Sequence, residues 1–164
     1  MNKLKTGFTL VELLAVVLII SIMTSIAVPQ YRRSVQRAEA IEAMTNLKTM
    51  FDSARRYKSA FSEAPQMLNG LDVTFFDASD HESSTFKIGK FQYSFTDDNV
   101  SACRLNNEGA ASGTYCLKMF YHHRTEGRDA LICEYSANGK YAWLCPAIGK
   151  RALSEGSHKY TIEG

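Results

Sequence analysis

The chain has 164 residues, a formal net charge of +2 and 22% charged residues. That length suits one domain of ordinary size, and so small a net charge supplies no broad basic field for nucleic acid. No Gly-rich phosphate loop, internal repeat or low-complexity tract is visible, which leaves nucleotide-driven chemistry without a basis in the chain.

The first seven residues, MNKLKTG, are polar and basic and end in Gly7. An apolar run follows from Phe8 to Val28, long enough for a spanning helix, which needs about 20 such residues. Glu12 stands inside this run. A charge at the centre of a span costs on the order of 3 kcal/mol by insertion scales, and the run holds no other charge to pair with it. A cut between Gly7 and Phe8 would create one, because Phe8 would then carry a free α-amine one helical turn before Glu12. That amine points away from its own helix, so Glu12 would meet the amine of a neighbouring copy staggered along the axis. Each subunit would bring one buried cation and one buried anion, tolerable only when matched in trans.

Two plainer readings compete. A secretory signal peptide has a basic start and a small-x-small cleavage site, which Ser25-Ile26-Ala27 offers. Its apolar core would, however, exceed the usual length, hold Glu12, and place Pro29 just past the cut. A plain signal anchor leaves Gly7 and Glu12 unexplained.

After Pro29 the residues Val35, Ala38, Ile41, Met44, Leu47, Phe51, Ala54, Tyr57 and Phe61 recur at helical spacing. Arg37, Glu42, Lys48, Asp52, Arg55 and Arg56 fall on the other face, with Asp52 and Arg56 spaced as an i, i+4 pair. The spacing predicts one helix of about fifty residues, roughly 75 Å at 1.5 Å per residue. It should end near Phe61 before Pro65, with a kink, break or local melting at Pro29. From Pro65 to Gly89 the chain reads as loop with short elements. Strands are predicted at 91–95, 115–121, 130–135 and 141–145, the last two joined as a hairpin through Asn138-Gly139 and the last ended by Pro146. Lys159–Ile162 offers an extra edge strand. The fold class is α+β, a long helix packed on an antiparallel sheet of about four strands.

Four cysteines, Cys103, Cys116, Cys133 and Cys145, lie in the last third with no C-x-x-C spacing, which suits two disulfides better than zinc. Three connectivities are open. The sequential one, Cys103–Cys116 and Cys133–Cys145, is favoured because each short loop could staple a hairpin at a gain of roughly 3 kcal/mol.

The segment K-x-G-F-T-L-V-E-L-L, followed by an apolar stretch and Pro29-Gln30-Tyr31, resembles the class III leader and N-terminal helix of type IV pilins and type II secretion pseudopilins. The resemblance covers about Lys5 to Arg37. It implies cleavage after Gly7 by a membrane-embedded prepilin peptidase, N-methylation of Phe8, and Glu12 as the assembly carboxylate. The expected organisation is a leader at 1–7, a transmembrane assembly helix at 8–28, an amphipathic second half at 29–62 and a disulfide-stapled head at 63–164. The expected role is a structural subunit of a type IV pilus, polymerising with itself for adhesion, motility or DNA uptake. A type II secretion pseudopilin or a filament-borne DNA- or surface-binding module are the alternatives. The implied partners are the peptidase, the assembly platform and motor proteins, and the inner membrane before assembly. The head would lie in the periplasm first and outside the cell afterwards.

No catalytic set stands out, and no cofactor or metal is expected. His122 and His123 are adjacent, so on a strand they point to opposite faces. His81 and His158 are isolated. Asp97-Asp98-Asn99 offers oxygen ligands for calcium, but turn formation explains it as well, and the acidic 77–82 stretch reads as solvated loop. Arg32, Arg33 and Arg37 suit lipid headgroups or acidic residues of neighbours. Lys140, Lys150, Arg151, His158 and Lys159 form the only basic set that could touch nucleic acid.

Overall fold

Helix α1 runs from Leu10 to Phe61, 52 residues, in the computed structural model of the chain. The structure describes residues 7–75, 78–80, 82–111, 114–121, 130–137, 139–149, 151–153 and 158–162. Two units divide the chain, Met1–Glu39 and Ala40–Gly164.

In the first unit no residue from Gly7 to Glu39 is buried. Pro29 does not break the helix, contrary to the expectation, for α1 is continuous through it. Proline removes one N–H and crowds the preceding turn, and the helix absorbs that single loss between long flanking stretches. Just upstream, Ser25 Oγ donates to Ile22 O at 2.7 Å.

In the second unit the helical residues Ala40, Ala43, Leu47, Met50, Phe51 and Ala54 are buried. The buried face is therefore rotated from the predicted one. Leu47, Phe51 and Ala54 belong to both, Met44 and Tyr57 are half-buried, while Ile41 and Phe61 stay 53% and 65% exposed. Alanines 40, 43 and 54 lie within this buried face, small side chains that ranking by hydrophobicity overlooks. α1 ends as predicted at Phe61. Ser62 follows at φ 61° and donates its N–H to Lys58 O at 2.9 Å, a left-handed cap of the last turn.

Among the described residues the sheet has seven strands, β1 (Thr85–Ile88), β2 (Phe91–Phe95), β3 (Asn99–Arg104), β4 (Tyr115–Phe120), β5 (Leu131–Tyr135), β6 (Arg151–Ala152) and β7 (Lys159–Ile162). Their order is β1-β2-β3-β4-β5-β7-β6, and every pairing is antiparallel. β2, β4 and β5 stand where the alternation placed them. β1 falls within the loop stretch 65–89 and β3 where the sequence pattern gives no element, since both are short and rich in small or polar residues. Yet Phe86, Val100 and Ala102 are 1%, 0% and 0% exposed, so each strand still alternates toward the core. Gly89, at φ +56°, makes the two-residue β1–β2 turn, a conformation that favours glycine.

The predicted strand at 141–145 is absent. Gly139 to Trp143 turn, and α2 occupies Leu144–Ile148; Asn138 lies outside the described residues. β7 occupies the position beside β5 that the hairpin partner would have taken. Pro146 sits in the first turn of α2, where no N–H is needed. β7 is an inner strand, not an edge, because β6 pairs on its far side. Backbone packing there is tight: a Cβ on Gly149 would lie 2.6 Å from Tyr160 Cβ.

The core lies between the Ala40–Phe61 part of α1 and the inner sheet face. Phe91, Tyr93 and Phe95 of β2 and Tyr115, Leu117 and Met119 of β4 point into it. Phe51 stacks on Tyr121 at 5.3 Å between centroids. Each large side chain buried here contributes roughly 1.5–3 kcal/mol. Burial pushes the Tyr93 hydroxyl up to about 12 despite a hydrogen bond with Asn46, and burial likewise raises that of Tyr121.

Candidate assembly segment and head surface

Because α1 begins at Leu10, Thr9 is its N-cap and Glu12 its third residue. Thr-x-x-Glu at the head of an apolar run is the capping-box arrangement. Glu12 Oε2 accepts from the Thr9 N–H at 2.8 Å and from the Thr9 hydroxyl at 2.7 Å. Thr9 Oγ1 accepts in return from the Glu12 N–H at 3.3 Å. The carboxylate also sits at the positive end of the helix dipole. Both side-chain bonds fall on Oε2, and Oε1 has no hydrogen bond among the described residues. Glu12 is thus satisfied in part within its own chain and keeps one oxygen open. The sequence reading considered only a partner in another copy; Thr9, three residues before the acid, was the signal for the cap.

Phe8 is 76% exposed and Gly7 has open space around it. Lys3 and Lys5 lie outside the described residues. The large apolar side chains from Leu10 to Val28 are 45–75% exposed. This stretch is long and apolar enough to cross a membrane. Its hydroxyls bond inward to the helix: Ser21 Oγ to Val17 O at 2.7 Å and Thr24 Oγ1 to Ile20 O at 2.8 Å. Lipid requires such internal satisfaction of polar groups. An apolar surface this continuous calls for lipid or other protein.

The head is fastened at three places. Cys103 and Cys116, an opposed pair on β3 and β4, are joined by a disulfide. Cys133 of β5 is joined to Cys145 of α2, both fully buried, which ties α2 to the sheet. Below the end of α1, Arg56 grips Asp72 through Nε and Nη2, each at 2.8 Å, and Ser53 Oγ donates to the same carboxylate. The Arg56 and Ser53 bonds hold the Asp72 carboxyl at about 2. Asp72 thus holds Arg56 directly, while the Asp52 charge, expected from the i, i+4 spacing, still favours the Arg56 cation.

The remaining candidates are dispersed. Glu134 accepts from Lys118 at 2.7 Å and lies 3.4 Å from Lys159 Nζ. Burial opposes its ionisation, but the bonds from Lys118 and the two lysine charges hold its carboxyl below the ordinary range. Lys159 is thus engaged, Lys140 lies over the Tyr141 ring at 6.0 Å, and His158 meets Tyr135 edge-on at 5.2 Å. Lys150, the Arg151 side chain, His81, His122 and His123 lie outside the described residues, as does Asp77. Asp97 closes the β2–β3 turn: its Oδ1 accepts from Gln66 at 3.3 Å and its carbonyl from Lys58 at 3.1 Å. Arg32, Arg33 and Arg37 are exposed on α1.

Residues 2–28 match the family model for the prokaryotic N-terminal methylation motif. The chain is 38% identical over 137 residues to the fimbrial protein of Moraxella nonliquefaciens, covering 80% of this chain and 75% of that one. It is 42% identical over 142 residues to the type IV major fimbrial protein FimA of Dichelobacter nodosus, covering 87% and 78%. With the type IV major pilin protein PilA of Myxococcus xanthus the identity is 44% over 62 residues, 38% of this chain but only 27% of that protein's length. No solved structure matches the chain.

Proposed function

The chain belongs to the type IV pilin family, and from that premise we propose that it is a structural pilus subunit that polymerises with copies of itself through residues 8–28. The carrying observation is the pairing of an unburied apolar helix with Glu12, whose Oε1 is left open beside the head of α1. A membrane peptidase removes residues 1–7 and Phe8 is N-methylated. The new Phe8 amine of one copy then meets Glu12 Oε1 of the next, and the Thr9 cap keeps the carboxylate aimed while both copies remain in lipid. Pairing offsets the several kcal/mol that either charge alone would cost.

In this reading the precursor spans the inner membrane once, with the disulfide-closed head in the periplasm. An assembly platform and its motor extract it into an extracellular filament. The segment 29–62 carries the helix into the head, 63–164, which forms the filament surface. The role is structural, not catalytic, and the names of the relatives favour a surface pilus over a secretion pseudopilus.

Mass spectrometry of filaments sheared from cells tests this directly. The expected subunit begins at a methylated Phe8 and carries no residues 1–7. A chain that still begins at Met1 in the cell, with no filament fraction, would overturn the proposal in favour of a membrane anchor.

A further inference from the structure

Asn99, Val100 and Ser101 form an Asn-x-Ser triplet, the acceptor pattern for N-linked glycosylation of exported chains. The pilus role makes no use of it. We propose that Asn99 is a glycan attachment site, modified by a transferase that draws on a polyprenyl-diphosphate-linked saccharide. The proposal rests on the exported head described above. In the transfer, Asn99 Nδ2 attacks the anomeric carbon of the donor. A C–N bond forms as the C–O bond to diphosphate breaks. The bond electrons leave with the polyprenyl diphosphate, and Nδ2 gives up one proton to a base of the transferase. Nothing is oxidised or reduced.

The surroundings of Asn99 suit a substituent. Residues 96–98, the tip of the β2–β3 turn, are exposed. The Asn99 main chain is held by Thr96, whose N–H and hydroxyl donate to Asn99 O at 2.9 and 3.0 Å. Its side-chain amide makes no hydrogen bond among the described residues. Two other asparagines are committed: Asn46 bonds Tyr93, and Asn106 Oδ1 accepts from the Glu108 and Ala110 N–H groups at 2.9 Å. A glycan on Asn99 therefore breaks no existing bond.

Orientation agrees. Val100 and Ala102 point into the core at 0% exposure, so Asn99 alternates onto the outer face. Phe120 stands directly opposite on β4, half-buried on that same face. Opposed Cβ atoms lie about 4.5–5.5 Å apart, close enough for the C–H face of a first sugar to rest on the ring. Ser101 is only 7% exposed and shares a 2.7 Å bond with Ser94. The transferase must read the triplet before β3 closes between β2 and β4, so modification accompanies export.

The test is glycopeptide mass spectrometry on the full chain from its own cells, with non-reducing mapping of the cysteines on the same sample. The Asn99 peptide should be heavier by at least one monosaccharide residue. The increment should vanish in Asn99→Gln and in Ser101→Ala but persist in Ser101→Thr, which keeps the acceptor hydroxyl. An unmodified Asn99 in a chain with both disulfides formed overturns this proposal alone. An unmodified Asn99 with reduced cysteines overturns the exported topology as well.

Discussion

Along one continuous helix, the side chains before Ala40 bury nothing and those after it build a core. Leu18 and Leu47 are the same residue type, yet the first is 61% exposed and the second 0%. The head answers to water: it hides aromatics, ties α2 down with Cys133–Cys145 and leaves charges on its outer face. The N-terminal unit, in the role proposed for it, answers to a different solvent, lipid or other copies. Hydrophobicity alone therefore does not mark a core; the partner that covers it does.

The two units should differ most in solubility. A fragment beginning at Ala40 should be soluble without detergent, monomeric and correctly disulfide-bonded, whereas the chain from Phe8 should need detergent. Sedimentation of both in plain buffer checks this. Next in size, Leu47→Ala should cost the head about 2–5 kcal/mol, read by chemical denaturation of the Ala40 fragment. Leu18→Ala in the full chain should leave head stability unchanged. Equal losses from the two would mean that the first unit is also folded against a core.

Much of this division was legible in the sequence. The apolar run, Glu12 and the end of α1 at Phe61 all follow from composition and spacing. What was hidden depends on other elements. The rotated face of α1 depends on which of its residues the sheet covers, and α2 replaces a strand because β7, distant in sequence, takes the place beside β5. The Asp72 clamp is also non-local, since nothing around Arg56 distinguishes Asp72 from Asp52. The Thr9 cap, by contrast, was readable and was missed because Glu12 suggested a distant partner first.

The loops closed by the two disulfides are nearly equal, with separations of 13 and 12 residues, so loop entropy ranks them together at roughly 3 kcal/mol each. Burial separates them: Cys133 and Cys145 are fully enclosed, while Cys103 and Cys116 are half-exposed. Graded reduction with alkylation of the thiols should label Cys103 and Cys116 first.

Smaller still, Thr9→Ala should remove the N-cap, about 1 kcal/mol. Faster amide exchange confined to the first turn of α1 in micelles would report it. The smallest effect concerns acid. The Asp72 carboxyl lies at about 2 against an ordinary 3.8, so its contribution is complete above 3.8 and disappears as the pH falls through about 2. Asp72→Asn should flatten that part of the stability profile of the head and leave neutral unfolding cooperative.

The most direct measurement concerns Glu12. Glu12→Gln keeps the capping box, which accepts glutamine at this position, but removes the charge. Cells carrying it should still mature the chain at Phe8 and form both disulfides, while filament yield falls more than about tenfold, since an unmatched buried charge costs several kcal/mol. Wild-type filament yield from Glu12→Gln would contradict pairing between copies and leave Glu12 as a cap alone.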